Sequence, residues 1–566
     1  MYNFFIFITY YFLILTSIVG YGLYSLKLLK IKFNFINFGY AGLFGIYILI
    51  TYSYFSNLFI AHTEIHNLTI LFIGLILFIY LVKQKYSLYK SEIIFSFIVF
   101  ILLFCAVLQF KNHDDFPYYH FPYAYYLTQQ SLHLGIGQFN HGFRTPSSIF
   151  YINSLFYLPY AKFYLFNFFS LFILGFANII LLKKIHNYFK FASTKDKQLK
   201  LTHFLSLLSF VFINIFFYRI SEYGTDRAAM ILIFLFIIEL LNFVNLKIIK
   251  TSNLFYIYLL GALIISFKAF YILYIIFFIP LFFYILKKKK NYIQTSYFLF
   301  FNKYFTLFLV LFFFIICTYF INTGCLIYPL SLTCFDEMSW SIPLTEVKQM
   351  SDWYELWSKG GAAPNFRIDN PETYIKNFNW VSNWIYIYFF NKVSDFILGI
   401  ILLISIFLFF FRKSFFKKAI INVDHHVYLV YLLILILGIE WFFNHPALRY
   451  GGYHIIALLL FIPISVKLGS SQIDLKKYSK ISIVLVSLTI TIFLSRNISR
   501  IVNEVEQYSY KPIRQTYYFL NDNHFRIQKQ TDQLIEQYNN CKNKNFECNK
   551  DVKIKKVMGK IIFIYQ

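Results

Sequence analysis

The densest chemistry in the chain lies between Lys111 and Leu127, which read KNHDDFPYYHFPYAYYL. Adjacent carboxylates, Asp114 and Asp115, follow an apolar run and stand between His113 and His120, with Tyr118 close by. A partly desolvated carboxylate beside a second one has a raised pKa and works as a base at neutral pH. The same pair alternatively holds a divalent cation, Mg or Mn, through oxygen ligands. The plainer alternative is that both aspartates cap the following helix and stay solvated. Pro117 and Pro122 break the chain, and from Tyr123 the residues YAYYLTQQSLHL suit a short interfacial helix with tyrosines at headgroup level.

What must position these residues is a membrane. Of 566 residues 59% are hydrophobic and only 14% charged, more apolar surface than a soluble core can hide. The expected fold class is an all-α polytopic membrane protein in contact with the lipid bilayer. The net charge of +26 does not indicate nucleic acid, because Lys and Arg stand in short clusters between apolar runs. Those runs fall near 4–24, 37–58, 68–83, 92–109, 161–182, 203–219, 227–246, 253–267, 269–287, 304–321, 396–411, 427–443, 453–468 and 480–495. They predict about fourteen spans. The run from Leu254 to Leu286 is split at Lys268, since a charge in mid-membrane is expensive. The first segment lacks the basic start and small-residue cleavage site of a signal peptide and is read as a span.

If the spans alternate, the clusters at Lys27–Lys32, Lys83–Lys90, Lys183–Lys200, Lys247–Lys250, Lys287–Lys290, Arg412–Lys418 and Lys476–Lys480 all fall on one side, expected to be the cytoplasm. The other side receives the 111–160 loop, the Arg219–Arg227 turn, a long loop over 322–395 and the Phe443–His454 turn. The division is a transmembrane domain over 1–496 and a tail over 497–566 on that same outer side. Cys325 with Cys334, and Cys541 with Cys548, are candidate disulfides there. Cys105 and Cys317 fall within spans, and neither cysteine pair has a second ligand pair at zinc spacing.

A carboxylate pair just after a span, opening the first large outer loop, resembles the acidic motif of the GT-C glycosyltransferases. HDDFPYYHFPYAYYL looks like that motif followed by its interfacial helix. The resemblance implies a GT-C-like fold and transfer of a sugar from a polyprenyl-phosphate donor to a glycan or lipid-linked acceptor. It places the chain in a bacterial inner membrane, building surface glycan or lipopolysaccharide with an active site facing the periplasm. Asp115, or else Asp114, would be the base. The family's second acidic position is matched in EYGTDR by Glu222 and Asp226. The four spans before the acidic loop depart from the many family members that have one, so residues 1–90 lie outside the resemblance.

A phosphate-bearing donor needs cations. Arg144, Arg219, Arg227, Lys268, His445 and Arg449 are the candidates, and His113, Tyr118 and His120 complete the expected substrate contacts. In NHPALRYGGYH a proline and two glycines would turn the chain and bring backbone amides near an anion. Each arginine has a plain alternative as an interfacial anchor, whereas Lys268 between two apolar runs calls for a charged partner. Trp340, Trp353, Trp357, Trp380 and Trp384 suit either an acceptor platform or an aromatic belt. Nucleotide loops of the GxxxxGK[ST] or GxGxxG type are absent. The alternatives are an O-antigen-type polymerase or ligase, relying on Arg and His, and a transporter or flippase. The latter would need buried mid-membrane charges and two similar halves, and only Lys268 and Glu239 answer the first requirement.

Overall fold

A bilayer core of about 30 Å asks for about twenty helical residues, and the chain supplies such lengths repeatedly. The computed structural model describes residues 2–31, 37–191, 201–361, 368, 370–416, 424–471, 475–514, 552–557 and 560–565. Among them, eleven helices are long and apolar enough to cross a membrane. The protein is a helical, multi-pass membrane chain. Three further apolar helices, Leu201–Phe216, Thr225–Phe243 and Phe255–Phe267, take the remaining positions where the sequence predicts spans. They are shorter or carry more charge, and their side chains are buried almost throughout. Thr225–Phe243 packs on both of the others and on Phe168–Phe191, so protein rather than lipid covers this centre. Peripheral helices such as Glu64–Gln84 and Ser394–Phe415 instead expose Ile76, Ile79, Leu398 and Leu402, as lipid-facing surfaces do.

The expected break at Lys268 is present. One helix ends at Phe267, Lys268 is extended (φ −149°, ψ 111°), and a 3-10 segment starts at Ala269. Charged residues sort into two layers. Lys183–Glu92, Lys184–Glu239, Lys287–Asp424 and His426–Asp424 join residues of the basic-loop side. Glu239, read from sequence as a mid-membrane charge, is thereby tied to a lysine of that side. The remaining pairs, from Lys111–Asp114 to Arg500–Glu504, lie on the opposite side. No ion pair among the described residues joins the two layers.

Two expectations change. The helix after the aspartates runs Phe121–Gln129 and is buried on nearly every face, so it does not lie along an interface. Its tyrosines find partners inside the protein: Asn322 donates to the Tyr123 hydroxyl at 2.9 Å, and Tyr126 pairs with His133. The last helix, Leu475–Tyr508, does not stop at the 496/497 boundary but continues twelve residues past Arg496. Arg496, Arg500 and Glu504 recur every fourth residue there, and Arg500 Nε donates to Glu504 at 2.7 Å. Beyond it a hairpin, Val552–Val557 with Lys560–Tyr565, touches the Asp115 side through a parallel bridge from Ile562 to Leu134.

Cys325 and Cys334 form a disulfide, and Cys105 and Cys317 are free. Cys541 and Cys548 lie outside the described residues. The five tryptophans of the 322–395 loop divide: Trp380 and Trp384 are buried and pack on Phe442, Trp353 is exposed, and Trp340 bonds the Phe320 carbonyl.

Candidate functional site

Four chain segments, far apart in sequence, bring their charged groups together on the Asp115 side. The first is the loop at 112–115, which enters a wide π turn over Phe116–His120. The second is the first turn of Thr225–Phe243, where Asp226 lies at the positive end of the helix. The third is the break at Lys268. The fourth is the 3-10 turn Leu448–Tyr450, closed by Gly451 at φ +133°, a conformation that favours glycine. The next residue, Gly452, must also be small, because a Cβ there would meet the Trp441 ring at 2.4 Å.

Arg449 links both acids. Its Nη2 donates to Asp115 Oδ2 at 3.0 Å and its Nε to Asp226 Oδ2 at 3.1 Å. Lys268 pairs with the other oxygen of Asp226 and sits 4.9 Å from the Tyr450 ring centre. The Arg449 guanidinium also lies over Trp357, at 5.4 Å. Asp115 Oδ2 accepts from the Tyr119 hydroxyl at 3.3 Å, and the Asp115 amide donates to His113 Nδ1 at 3.1 Å. That amide bond fixes Nδ1 of His113 as an acceptor and leaves its proton on Nε2. Asp115 makes no side-chain cap on the turn that follows. Capping therefore does not account for this residue.

The electrostatics differ from the sequence expectation. Burial pushes Asp115 up, but the Arg449 guanidinium, with His120 and His113, outweighs it and holds the carboxyl below its ordinary value. The predicted elevated pKa overlooked a half-buried arginine that arrives from 334 residues away. Burial lowers His113, and it brings His120 down to about 3 and His445 to about 4. His120 is packed among Tyr119, Phe150 and Tyr223, with neither ring nitrogen hydrogen-bonded.

Arg449 and Lys268 face a cavity of about 370 Å³. Its polar lining includes Tyr119, Tyr354, His445 and Tyr450; its apolar wall includes Leu273, Pro329 and Leu330. The site thus joins Asp115, His113, His120, Asp226, Lys268, His445 and Arg449. Other expected members go elsewhere. The Asp114 side chain is 88% exposed and only 3.8 Å from Lys111, and Tyr118 points to the exterior. Arg144 is spent on Glu346 at 2.7 Å. Glu222 pairs with Arg219, with Arg227 at 3.5 Å and with Arg500 at 2.8 Å, forming a separate cluster. The backbone amides of Ala447 and Leu448 in the glycine turn already donate to Ser358 and Tyr388, each at 2.9 Å, and so are not offered to an anion.

Sequence reading missed Tyr119, Tyr354 and Tyr450. A signal existed for Tyr119, which stands one helical turn after Asp115, and for Tyr450, which adjoins Arg449. Nothing marked Tyr354 above other aromatic residues. For a divalent cation the donor set is a poor fit. The oxygens of Asp226 and Oδ2 of Asp115 already face a guanidinium and an ammonium, which would repel a metal ion. Among the described residues no cluster of three or more His, Cys, Asp or Glu could hold one.

No curated protein and no solved structure matches the chain. A family model does match, over residues 4–456, a stretch that contains Asp115, Asp226, Lys268 and Arg449. The chain belongs to that family, described as Domain of unknown function (DUF8201).

Proposed function

We propose that the protein is a GT-C-type glycosyltransferase with about fourteen membrane crossings, working at the outer face of a bacterial inner membrane on a polyprenyl-phosphate-type donor. The observation that carries this reading is the pairing of Asp115 and Asp226 through Arg449 and Lys268, with both cations facing a largely apolar cavity. Such a site suits a substrate that is part phosphate and part hydrocarbon. The two layers of ion pairs and the disulfide on the Asp115 side support an outward, oxidising location for it.

In this reading the donor phosphate meets Lys268 and Arg449, whose Nη1 has no hydrogen bond among the described residues. The acceptor hydroxyl donates to Asp115, whose Oδ1 is likewise without a partner. The hydroxyl oxygen bonds to the anomeric carbon, the bond from that carbon to the phosphate oxygen breaks, and the phosphate leaves with the electron pair. Asp115 takes the hydroxyl proton. Movement of Arg449 towards the leaving phosphate removes the charge that depresses Asp115, so the carboxylate grows more basic as the proton moves. Lys268 and Arg449, both among the cations expected from the sequence to meet a phosphate, supply the charge stabilisation that the leaving phosphate needs.

One observation favours the polymerase or ligase alternative: Arg449, Lys268 and His445 line the cavity, whereas Asp115 stands behind Arg449. Glycan profiles of a deletion strain carrying wild type, Asp114→Asn, Asp115→Asn or Arg449→Gln at matched membrane abundance separate these. The transferase reading expects Asp115→Asn and Arg449→Gln to lose the glycan while Asp114→Asn restores it. Full restoration by Asp115→Asn together with loss in Arg449→Gln would transfer the chemistry to the arginine and histidine. Restoration by all three variants would sink both readings.

A further inference from the structure

Apart from the cavity, and sharing no lining residue with it, lies an open basin of about 580 Å³, lined by Lys111, Arg219, Arg496, Ser499, Arg500 and Asn503 among others. Arg496, Ser499, Arg500 and Asn503 recur at three- and four-residue spacing, so one face of the Leu475–Tyr508 helix forms its wall. The cations differ in how far they are committed. Arg500 is fully used: Nε goes to Glu504 at 2.7 Å, Nη1 to Gln109 at 2.5 Å, and Nη2 to Glu222 at 2.8 Å and the Lys111 carbonyl at 3.1 Å. Arg219 gives Nε to Glu222.

Arg496 is different. Nη1 reaches the Ile215 carbonyl at 2.7 Å and the guanidinium stacks on Tyr218 at 3.8 Å, yet it meets no carboxylate among the described residues. Lys111 has only the exposed Asp114, at 3.8 Å. The nearby acids cannot neutralise the group, because Glu504 is buried against Arg500 and the Phe110 and Lys111 amides, and Glu222 is shared by Arg219, Arg227 and Arg500. The stacked guanidinium is held ready with donors to spare, beside exposed hydroxyl and amide side chains.

We propose that this basin is a second anion site, built for a phosphate ester and separate from the Arg449 cavity. Its ligand is either the headgroup of an anionic phospholipid or the phosphate of a substrate. Arg500 ties the basin wall to the Lys111 carbonyl, and the His113 amide donates to the Glu222 carbonyl at 2.7 Å, so occupancy bears on the segment that carries Asp115.

The test uses the full chain in nanodiscs, in an Arg449→Gln background so that binding in the cavity does not contribute. Thermal midpoints are followed against inorganic pyrophosphate in phosphatidylcholine discs, and against rising phosphatidylglycerol without pyrophosphate. The expected result is a midpoint increase in at least one titration, with Arg496→Gln weakening the apparent affinity about tenfold, as loss of one charge-assisted bond implies. A response to phosphatidylglycerol alone identifies a lipid headgroup, and a response to pyrophosphate identifies a substrate phosphate. Should Arg496→Gln fail to fold, Ser499→Asp, an exposed change that puts a carboxylate in the basin, must abolish the same response. Equal responses with and without these changes, or no response at all, would overturn the site. Because the readout is binding in an Arg449 variant, this outcome is independent of the transferase reading.

Discussion

Two buried charge clusters flank the same short stretch of chain, and they are built differently. Around Glu222, Arg500 and Glu504 the charges close on one another and on backbone. Glu504 accepts from the Phe110 and Lys111 amides at 2.6 and 3.2 Å, and every nitrogen of Arg500 has a protein acceptor. Around Asp115 and Asp226, Arg449 and Lys268 also line a cavity, and Arg449 Nη1 and Asp115 Oδ1 have no protein partner among the described residues. The first arrangement fastens the end of the last helix to the loop. The second keeps bonding capacity for a guest. Similar residue types thus serve as staple or site according to whether their donors and acceptors are used up.

The staple should show the largest effect on folding. Glu504→Ala leaves Arg500 and two loop amides without their acceptor and is expected to remove roughly 3–5 kcal/mol of stability, the usual result of breaking a buried pair. Membrane abundance and the thermal midpoint report it, and a wild-type midpoint would refute the staple. Arg449→Gln should invert the pattern: folding largely kept, product formation down on the order of a hundredfold, as for loss of a preorganised donor. Arg449→Lys should not rescue it, because an ammonium cannot bridge Asp115 and Asp226 as the two guanidinium nitrogens do.

Acid comes next in size. Histidine takes a proton near pH 6.5 when unfolded, whereas burial holds His120 down to about 3 and His445 to about 4 in the fold. The unfolded chain therefore binds more protons below that pH, and stability falls as the medium is acidified, by roughly 1–2 kcal/mol for His120 at pH 5. Asp115 adds nothing to this slope. Its folded pKa is depressed, so its contribution is present above the ordinary aspartate value and is lost only when pH falls through the lower one. His120→Phe, which forfeits no hydrogen bond in this packing, should flatten the midpoint-versus-pH curve between pH 7 and 5. An unchanged slope would count against the buried, neutral histidine. The smallest effect is expected at Asp114→Asn, whose exposed side chain should leave glycan yield and midpoint at wild-type levels.

Much of the layout is readable in the sequence. The helix break at Lys268, the two sides of charge and the candidacy of Asp115, Asp226, Lys268 and Arg449 follow from one-dimensional constraints. A bilayer fixes how long an apolar run must be, and a charge inside one must end it or find a partner. The continuation of the last helix to Tyr508 is also written in the four-residue spacing of Arg496, Arg500 and Glu504, although apolarity, which sets the expected boundary, ends before it. The Trp-rich loop was legible only as a composition, since either burial or an interface enriches tryptophan.

What sequence by itself determined is therefore a helical multi-pass membrane chain, its breaks in hydrophobic continuity, and the short roster of charged residues placed on one side. Only the tertiary structure decided which of them meet. Asp115 joins Arg449 across 334 positions and Asp226 joins it across 223, while neighbouring Asp114 turns to solvent and Glu222 turns to Arg500. The direction of the Asp115 pKa reversed for the same reason. Charge and burial act through space over a few ångströms, and helix packing, not sequence separation, sets those distances.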